Sequence, residues 1–125
     1  MGHLGLTPQS VHALGGFKVQ GRGEDAERIK ADARALVKAG VFAIVLELVP
    51  AELAAEISAE SPVPIIGIGA GNGTDAQVLV WSDAFGLTKR PPKLARSYRN
   101  LRQELFDGAQ EFAAPPQVQE QPERV

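Results

Sequence analysis

The sequence contains no cysteine. That excludes a disulfide framework and any thiolate metal site. It also lacks a strong charge of either sign: the formal net charge is −2, which gives no electrostatic case for nucleic acid or a membrane surface. No apolar run approaches the ~20 residues of a membrane span. The opening MGHLGLTPQS has no basic region followed by an apolar core, so it does not read as a signal peptide. A cytoplasmic protein is the expectation. No GK[ST] sequence occurs, which excludes a P-loop. There are two histidines and no His/Asp/Glu cluster at ligand spacing, so no metal site is legible. Ser10, Ser58, Ser61 and Ser82 lack a nucleophile-elbow context.

What is present is a core. The hydrophobic content is 44% over 125 residues, enough for one domain of ordinary size. Its centre is Val41 to Pro50, VFAIVLELVP, an apolar run interrupted by Glu47. A Val- and Ile-rich run leading straight into helix-starting residues predicts a buried parallel strand. Ala43, Val45 and Glu47 share one face; Phe42, Ile44 and Leu46 share the other and meet the covering helices.

Met1 to Leu6 predicts the end of a strand. Thr7 as N-cap and Pro8 at the first helical position predict a short helix through Val11 and Leu14, stopped by Gly15-Gly16. Phe17 to Gly23 is a loop. Glu24 to Ala39 is the clearest helix, with Ile29, Ala33, Leu36 and Val37 on one stripe and Gly40 as its left-handed end. Glu24 and Arg28 stand at ion-pair spacing. Pro50 begins a helix over Ala51 to Ala59, with Pro50 at its first position. Val63 to Gly71 and Ala76 to Trp81 predict two more buried strands, separated by a turn at Asn72 to Asp75. Ser82 to Thr88 connects, Lys89 to Pro92 links, and Lys93 to Phe112 predicts a long helix. Lys89, Arg90, Lys93, Arg96, Arg99 and Arg102 form a basic run, read as a solvated face. From residue 113 the composition turns to Pro and Gln, as in a disordered tail. Strands alternating with helices mean an α/β fold with a parallel sheet, whose sites lie at the C-terminal strand ends.

Three features could carry chemistry there. Glu47, at such a strand end, either salts the sheet rim, caps the next helix, or acts as a general base. Gly67, Gly69 and Gly71 share a face with Ile65, which suits a ligand floor or a tight packing site. Their spacing does not match a dinucleotide fingerprint. His3, between two glycines, suits a hydrogen bond to a substrate oxygen or a structural role.

Four segments, met in this order, make a more specific match. Met1 to Gln9, Gly15 to Gly23 (GGFKVQGRG), Val45 to Leu53 (VLELVPAEL) and Ile66 to Gly71 (IGIGAG) resemble the C-terminal half of the ketopantoate (3-methyl-2-oxobutanoate) hydroxymethyltransferase family. The resemblance runs from Met1 to about Leu105. It implies strands five to eight of a (β/α)8 TIM barrel, with residues 1–112 as the half barrel and 113–125 as the tail. It implies transfer of a hydroxymethyl group from 5,10-methylenetetrahydrofolate to 3-methyl-2-oxobutanoate, giving 2-dehydropantoate, in pantothenate synthesis. By resemblance Glu47 is the general base at C3 of the keto acid, His3 contacts the bound keto acid, and Gly67, Gly69 and Gly71 line the pocket. A Mg2+ Lewis acid is implied, with its ligands in the N-terminal half. A barrel needs about 250 residues, so this chain reads as a truncated half, inactive alone. The partners implied are the keto acid and the folate donor, and a homo-oligomer at full length. The alternative is a non-catalytic fragment that pairs with a separate N-terminal half, or with itself, through open sheet edges. The Asn72-Gly73 turn departs from the acidic, proline-bearing segment of the family.

Overall fold

Four short strands run parallel in sequence order: β1 (Gly2–Gly5), β2 (Ile44–Glu47), β3 (Ile65–Ile68) and β4 (Ala76–Gln77). They come from a computed structural model that describes residues 1–114. The chain divides into two units, Met1–Leu79 and Val80–Val125, and the sheet belongs to the first.

Register follows from the side-chain period of two. Gly2 pairs with Ile44, Leu4 with Leu46, Ile44 with Ile65 and Leu46 with Gly67. These residues share one face. His3, Val45, Glu47, Ile66 and Ile68 share the other, because His3 pairs with Val45 and Glu47 with Ile68. Ile44, Leu46 and Ile65 are fully buried. Burying each such side chain stabilises the fold by about 1.5–3 kcal/mol.

The covering layer is α1 (Asp25–Lys38) and α2 (Ala51–Glu60). From α1 come Ile29 and Ala33, with Leu36 and Val37 packed beside them; from α2 come Leu53, Ala54 and Ile57. This is the predicted stripe. Gly40, at φ +87°, ends α1 as expected. Arg28 does not pair with Glu24. Its Nε lies 2.6 Å from Asp25 Oδ1 and its Nη1 3.0 Å from Asp32 Oδ2. Glu24 sits at the N-cap, before the first helical residue. Asp25 also accepts the Gly21 amide at 2.7 Å. The Arg28 hydrogen bond first, and the Gly21 amide second, hold its carboxyl below the usual range.

Several boundaries differ from the sequence reading. The strand from Val41 begins only at Ile44, where pairing with β1 starts. Phe42 lies outside it and is 68% exposed, so the predicted alternation stops short. Pro50 is the N-cap of α2, one position before the predicted one. After Thr7 only a 3-10 turn forms, Pro8–Ser10. The few residues before Gly15-Gly16 are too short to propagate a helix. The third predicted strand shrinks to Ala76–Gln77, and both residues are exposed. Only residues 69–75 join β3 to β4. Parallel neighbours normally need a crossover of about a dozen residues or more, so there is no room for a helix here.

Asp75, just before β4, ties it to β3 and α2. Its Oδ2 accepts the Ile65 amide at 2.8 Å and the Ser58 hydroxyl at 2.9 Å. The carboxylate caps the start of β3, one residue before its pairing with β4 begins at Ile66. The Ile65 amide, then the Ser58 hydroxyl, hold the Asp75 carboxyl below its ordinary value. A depressed folded pKa adds stability above the unfolded value of about 3.9, and that stability is lost as pH falls through the folded one. Asp75→Asn is therefore expected to lower the melting temperature near neutrality. The gap to the parent should close as pH drops below about 4. Thermal melts at a series of pH values check it, and a gap that stays constant would contradict it.

In the second unit, α3 (Trp81–Ala84) forms across the predicted strand end at Trp81 and the start of the predicted connecting segment, and α4 (Leu101–Ala113) starts eight residues late against the predicted Lys93. The reason is competing backbone pairing. The Tyr98 amide donates to the Ala84 carbonyl at 2.7 Å and the Leu101 amide to Phe85 at 2.9 Å. The basic run is exposed as expected, yet only Arg102 of it is helical. Ala113, assigned to the tail by composition, is the last residue of α4. The rest of the predicted tail, from residue 115, lies outside the described residues. No described helix is long and apolar enough to cross a membrane.

Candidate active site at the strand ends

β1, β2 and β3 end side by side at Gly5, Glu47 and Ile68. There His3 and Glu47, which sequence reasoning picked out separately, meet. Glu47 Oε2 lies 3.1 Å from His3 Nε2. Their side chains are 18% and 35% exposed. Both project from the sheet face opposite the helices. An ionised carboxylate only accepts, so Nε2 carries the proton in this contact. The arrangement anchors one carboxylate oxygen beside a strand end that is still open to solvent. A carboxylate so held can take a proton from a molecule bound over the strand ends.

The main chain around Glu47 is fixed on both sides. The Leu6 amide donates to the Glu47 carbonyl at 2.8 Å, and the Leu48 amide to the Ile68 carbonyl at 2.9 Å. The Gln20 amide donates to the Leu48 carbonyl at 2.9 Å. Leu48 itself has φ +48°, the one left-handed residue other than glycine among the described residues. Gly5, at φ +85°, brings β1 so close that a Cβ there would strike the Glu47 carbonyl. Neither Leu48 nor Gln20 carried a signal in the sequence. Gly5 did, as a glycine at a strand end.

The three candidate glycines do not form a common face. Gly67 lies on the face of Leu46, away from Glu47, and a Cβ on it would come within 2.7 Å of Thr74 Oγ1. β3 ends at Ile68, and Gly69 (φ +62°) and Gly71 (φ +76°) turn the chain beyond it. A Cβ on Gly71 would strike Ala51 at the start of α2. The chain's own packing fills the space at Gly67 and Gly71. Two concavities lie elsewhere. A groove of about 150 Å³ runs between α1 and α2, past Ala33, Val37 and Ile57. A wider hollow of about 570 Å³ lies between Gly21–Gly23 and Pro50–Leu53. Neither borders His3 or Glu47.

No group of three or more His, Asp or Glu side chains among the described residues could hold a metal ion. The two donors at the strand ends are bonded to each other. The described residues thus present magnesium with no preformed set of three such ligands.

A family model described as ketopantoate hydroxymethyltransferase matches residues 1–124. The chain is 63% identical, over 115 residues, to a 3-methyl-2-oxobutanoate hydroxymethyltransferase of Acidothermus cellulolyticus, covering 91% of this chain and 42% of that protein. A protein of the same name from Thermobifida fusca is 58% identical over 90% of this chain and 41% of its own length. One from Corynebacterium glutamicum is 56% identical over 91% and 43%. The chain thus spans about two fifths of the length of these curated relatives.

Proposed function

The chain belongs to the ketopantoate hydroxymethyltransferase family, and we propose that it supplies the general-base part of that reaction. The substrate is 3-methyl-2-oxobutanoate and the one-carbon donor is 5,10-methylenetetrahydrofolate. β1 to β4 are taken as the fifth to eighth strands of a (β/α)8 barrel, with residues 1–112 as its C-terminal half. The observation that carries the reading is the Glu47–His3 contact at the C-terminal strand ends, where barrel enzymes keep their chemistry.

Glu47 removes the proton from C3 of the keto acid, next to the carbonyl. The electron pair moves into the carbonyl to give an enolate, whose C3 forms a bond to the one-carbon unit as that unit's bonds to the two folate nitrogens break; water supplies the hydroxyl oxygen and tetrahydrofolate leaves. His3 holds Glu47 through Oε2 and stands beside the bound keto acid. Gly69 and Gly71, in the turn after β3, border the same end of the sheet. When bound, magnesium supplies Lewis-acid stabilisation of the enolate oxygen. The family resemblance puts its ligands in the N-terminal half of the full-length enzymes, and no step here runs through it.

The test follows the C3 hydrogen. Exchange of that hydrogen for deuterium in D2O is read by NMR, with this chain joined to a polypeptide that supplies strands one to four. Exchange that needs both parts is the expected result; none in the joined protein would overturn the reading. The 125 residues alone, given magnesium and the folate donor, are expected to show no turnover. Turnover there would refute the need for the other strands.

A further inference from the structure

Leu48 follows Glu47 and adopts a backbone conformation that non-glycine residues rarely take. Its φ is +48°. A left-handed L-residue crowds its own Cβ against the carbonyl, and it persists only where the surroundings enforce it. Here they do, from two directions. The Leu48 amide is bound by the Ile68 carbonyl of β3, and its carbonyl by the Gln20 amide of the loop before α1, each at 2.9 Å. The carbonyl end of the Glu47–Leu48 peptide is held as well, by the Leu6 amide at 2.8 Å. Three segments far apart in sequence thus hold the two peptides on either side of the Leu48 Cα: Leu6 and Ile68 the Glu47–Leu48 peptide, Gln20 the Leu48–Val49 peptide. Reversing φ at Leu48 would break the Gln20 or the Ile68 hydrogen bond and rotate the Glu47–Leu48 peptide. Glu47 would then leave its place 3.1 Å from His3.

We propose that Leu48 is a positioning residue: its left-handed conformation, not its side chain, aims the Glu47 carboxylate at His3. The inference rests on the reading of Glu47 as the base, since positioning matters only if Glu47 reacts. Its geometric content is testable without turnover, so the two can fail separately.

The experiment acylates histidine with diethyl pyrocarbonate and reads His3 and His12 separately by mass spectrometry. While Nε2 of His3 donates to Glu47, only Nδ1, the nitrogen crowded by its own main chain, is open to the reagent, and acylation is slowed. His12 is exposed and serves as an internal control. Glu47→Ala defines the unprotected rate. Leu48→Gly and Leu48→Asn tolerate a left-handed backbone. They are expected to keep His3 within about twofold of the parent, although the leucine side chain is gone. Leu48→Val keeps an apolar side chain but disfavours positive φ. It is expected to raise the His3 rate roughly fivefold or more, with unchanged circular dichroism. If packing of the side chain were what mattered, the order would invert. His3 in the Gly and Asn variants reacting as fast as in Glu47→Ala would overturn the proposal. So would a Glu47→Ala rate equal to the parent's, because the contact would then be absent in solution. Should Leu48→Val fail to fold, the Gly and Asn variants decide alone: protection retained supports the proposal, and protection lost refutes it.

Discussion

On the proposed reading, Glu47→Gln, in this chain joined to a polypeptide that supplies strands one to four, is expected to lower C3 exchange of 3-methyl-2-oxobutanoate by about 10²–10⁴-fold, the usual worth of a general base. The exchange is the informative step because it isolates proton removal from one-carbon transfer. Glutamine matches glutamate in shape and can still hydrogen-bond His3, so the strand end keeps its packing. Stability should stay within about 0.5 kcal/mol of the parent, as for surface-accessible changes that break no buried network. The kinetic pattern separates base from binding group. A base acts only in the transition state, so kcat falls while KM is little changed. A pure rise in KM would mean that Glu47 binds substrate without abstracting the proton. A loss smaller than tenfold would assign the proton to another residue. His3→Gln makes the complementary point: removing the partner of Oε2 leaves Glu47 present but less firmly aimed, so its loss should be the smaller of the two.

The central strand and the helix stripe were legible in the sequence because both rest on periodicity. Ile44 and Leu46 face the helices and Glu47 faces away, as alternation requires. Ile29 and Ala33 are buried on α1 as their spacing requires. Edges were less legible. Ala76 to Trp81 reads as a buried strand by composition, yet Val78, Val80 and Trp81 are 48%, 50% and 64% exposed. Composition reports what could be buried, while pairing depends on neighbours distant in sequence. The same limit hid the late start of α4, where the amides of Tyr98 and Leu101 are taken by the end of α3. At the site, Glu47 and His3 were each visible, but their contact spans 44 positions and only the sheet register brings it about. The glycines in and after β3 show the reverse error. Read as one strand, Gly67, Gly69 and Gly71 share a face; the strand ends at Ile68, and positive φ at the last two breaks the alternation.

Gly5→Ala should be among the most damaging single changes in the sheet, with an expected loss of about 3 kcal/mol or more against a total of about 5–15 kcal/mol for an ordinary domain. Two costs add. An L-residue in the left-handed region loses about 1–2 kcal/mol. The added Cβ also strikes the Glu47 carbonyl and comes within 2.7 Å of Val49 Cγ2. That carbonyl cannot yield easily, because Leu6 binds it at 2.8 Å and Val49 is itself buried. Relief would require β1 to move away from β2, which opens the ladder from Gly2–Ile44 to Gly5–Glu47 and takes His3 with it. Gly23→Ala supplies the control, since Gly23 has φ +58° and no atom within 4 Å of a built Cβ. It carries the conformational cost without the clash, about 1–2 kcal/mol. Urea unfolding of both variants measures the difference, and His3 acylation reports whether the strand end has opened. Equal losses for the two would mean that β1 can shift freely against Glu47. The carboxylate would then owe its position to β3 and the Gln20 loop rather than to the close approach at Gly5.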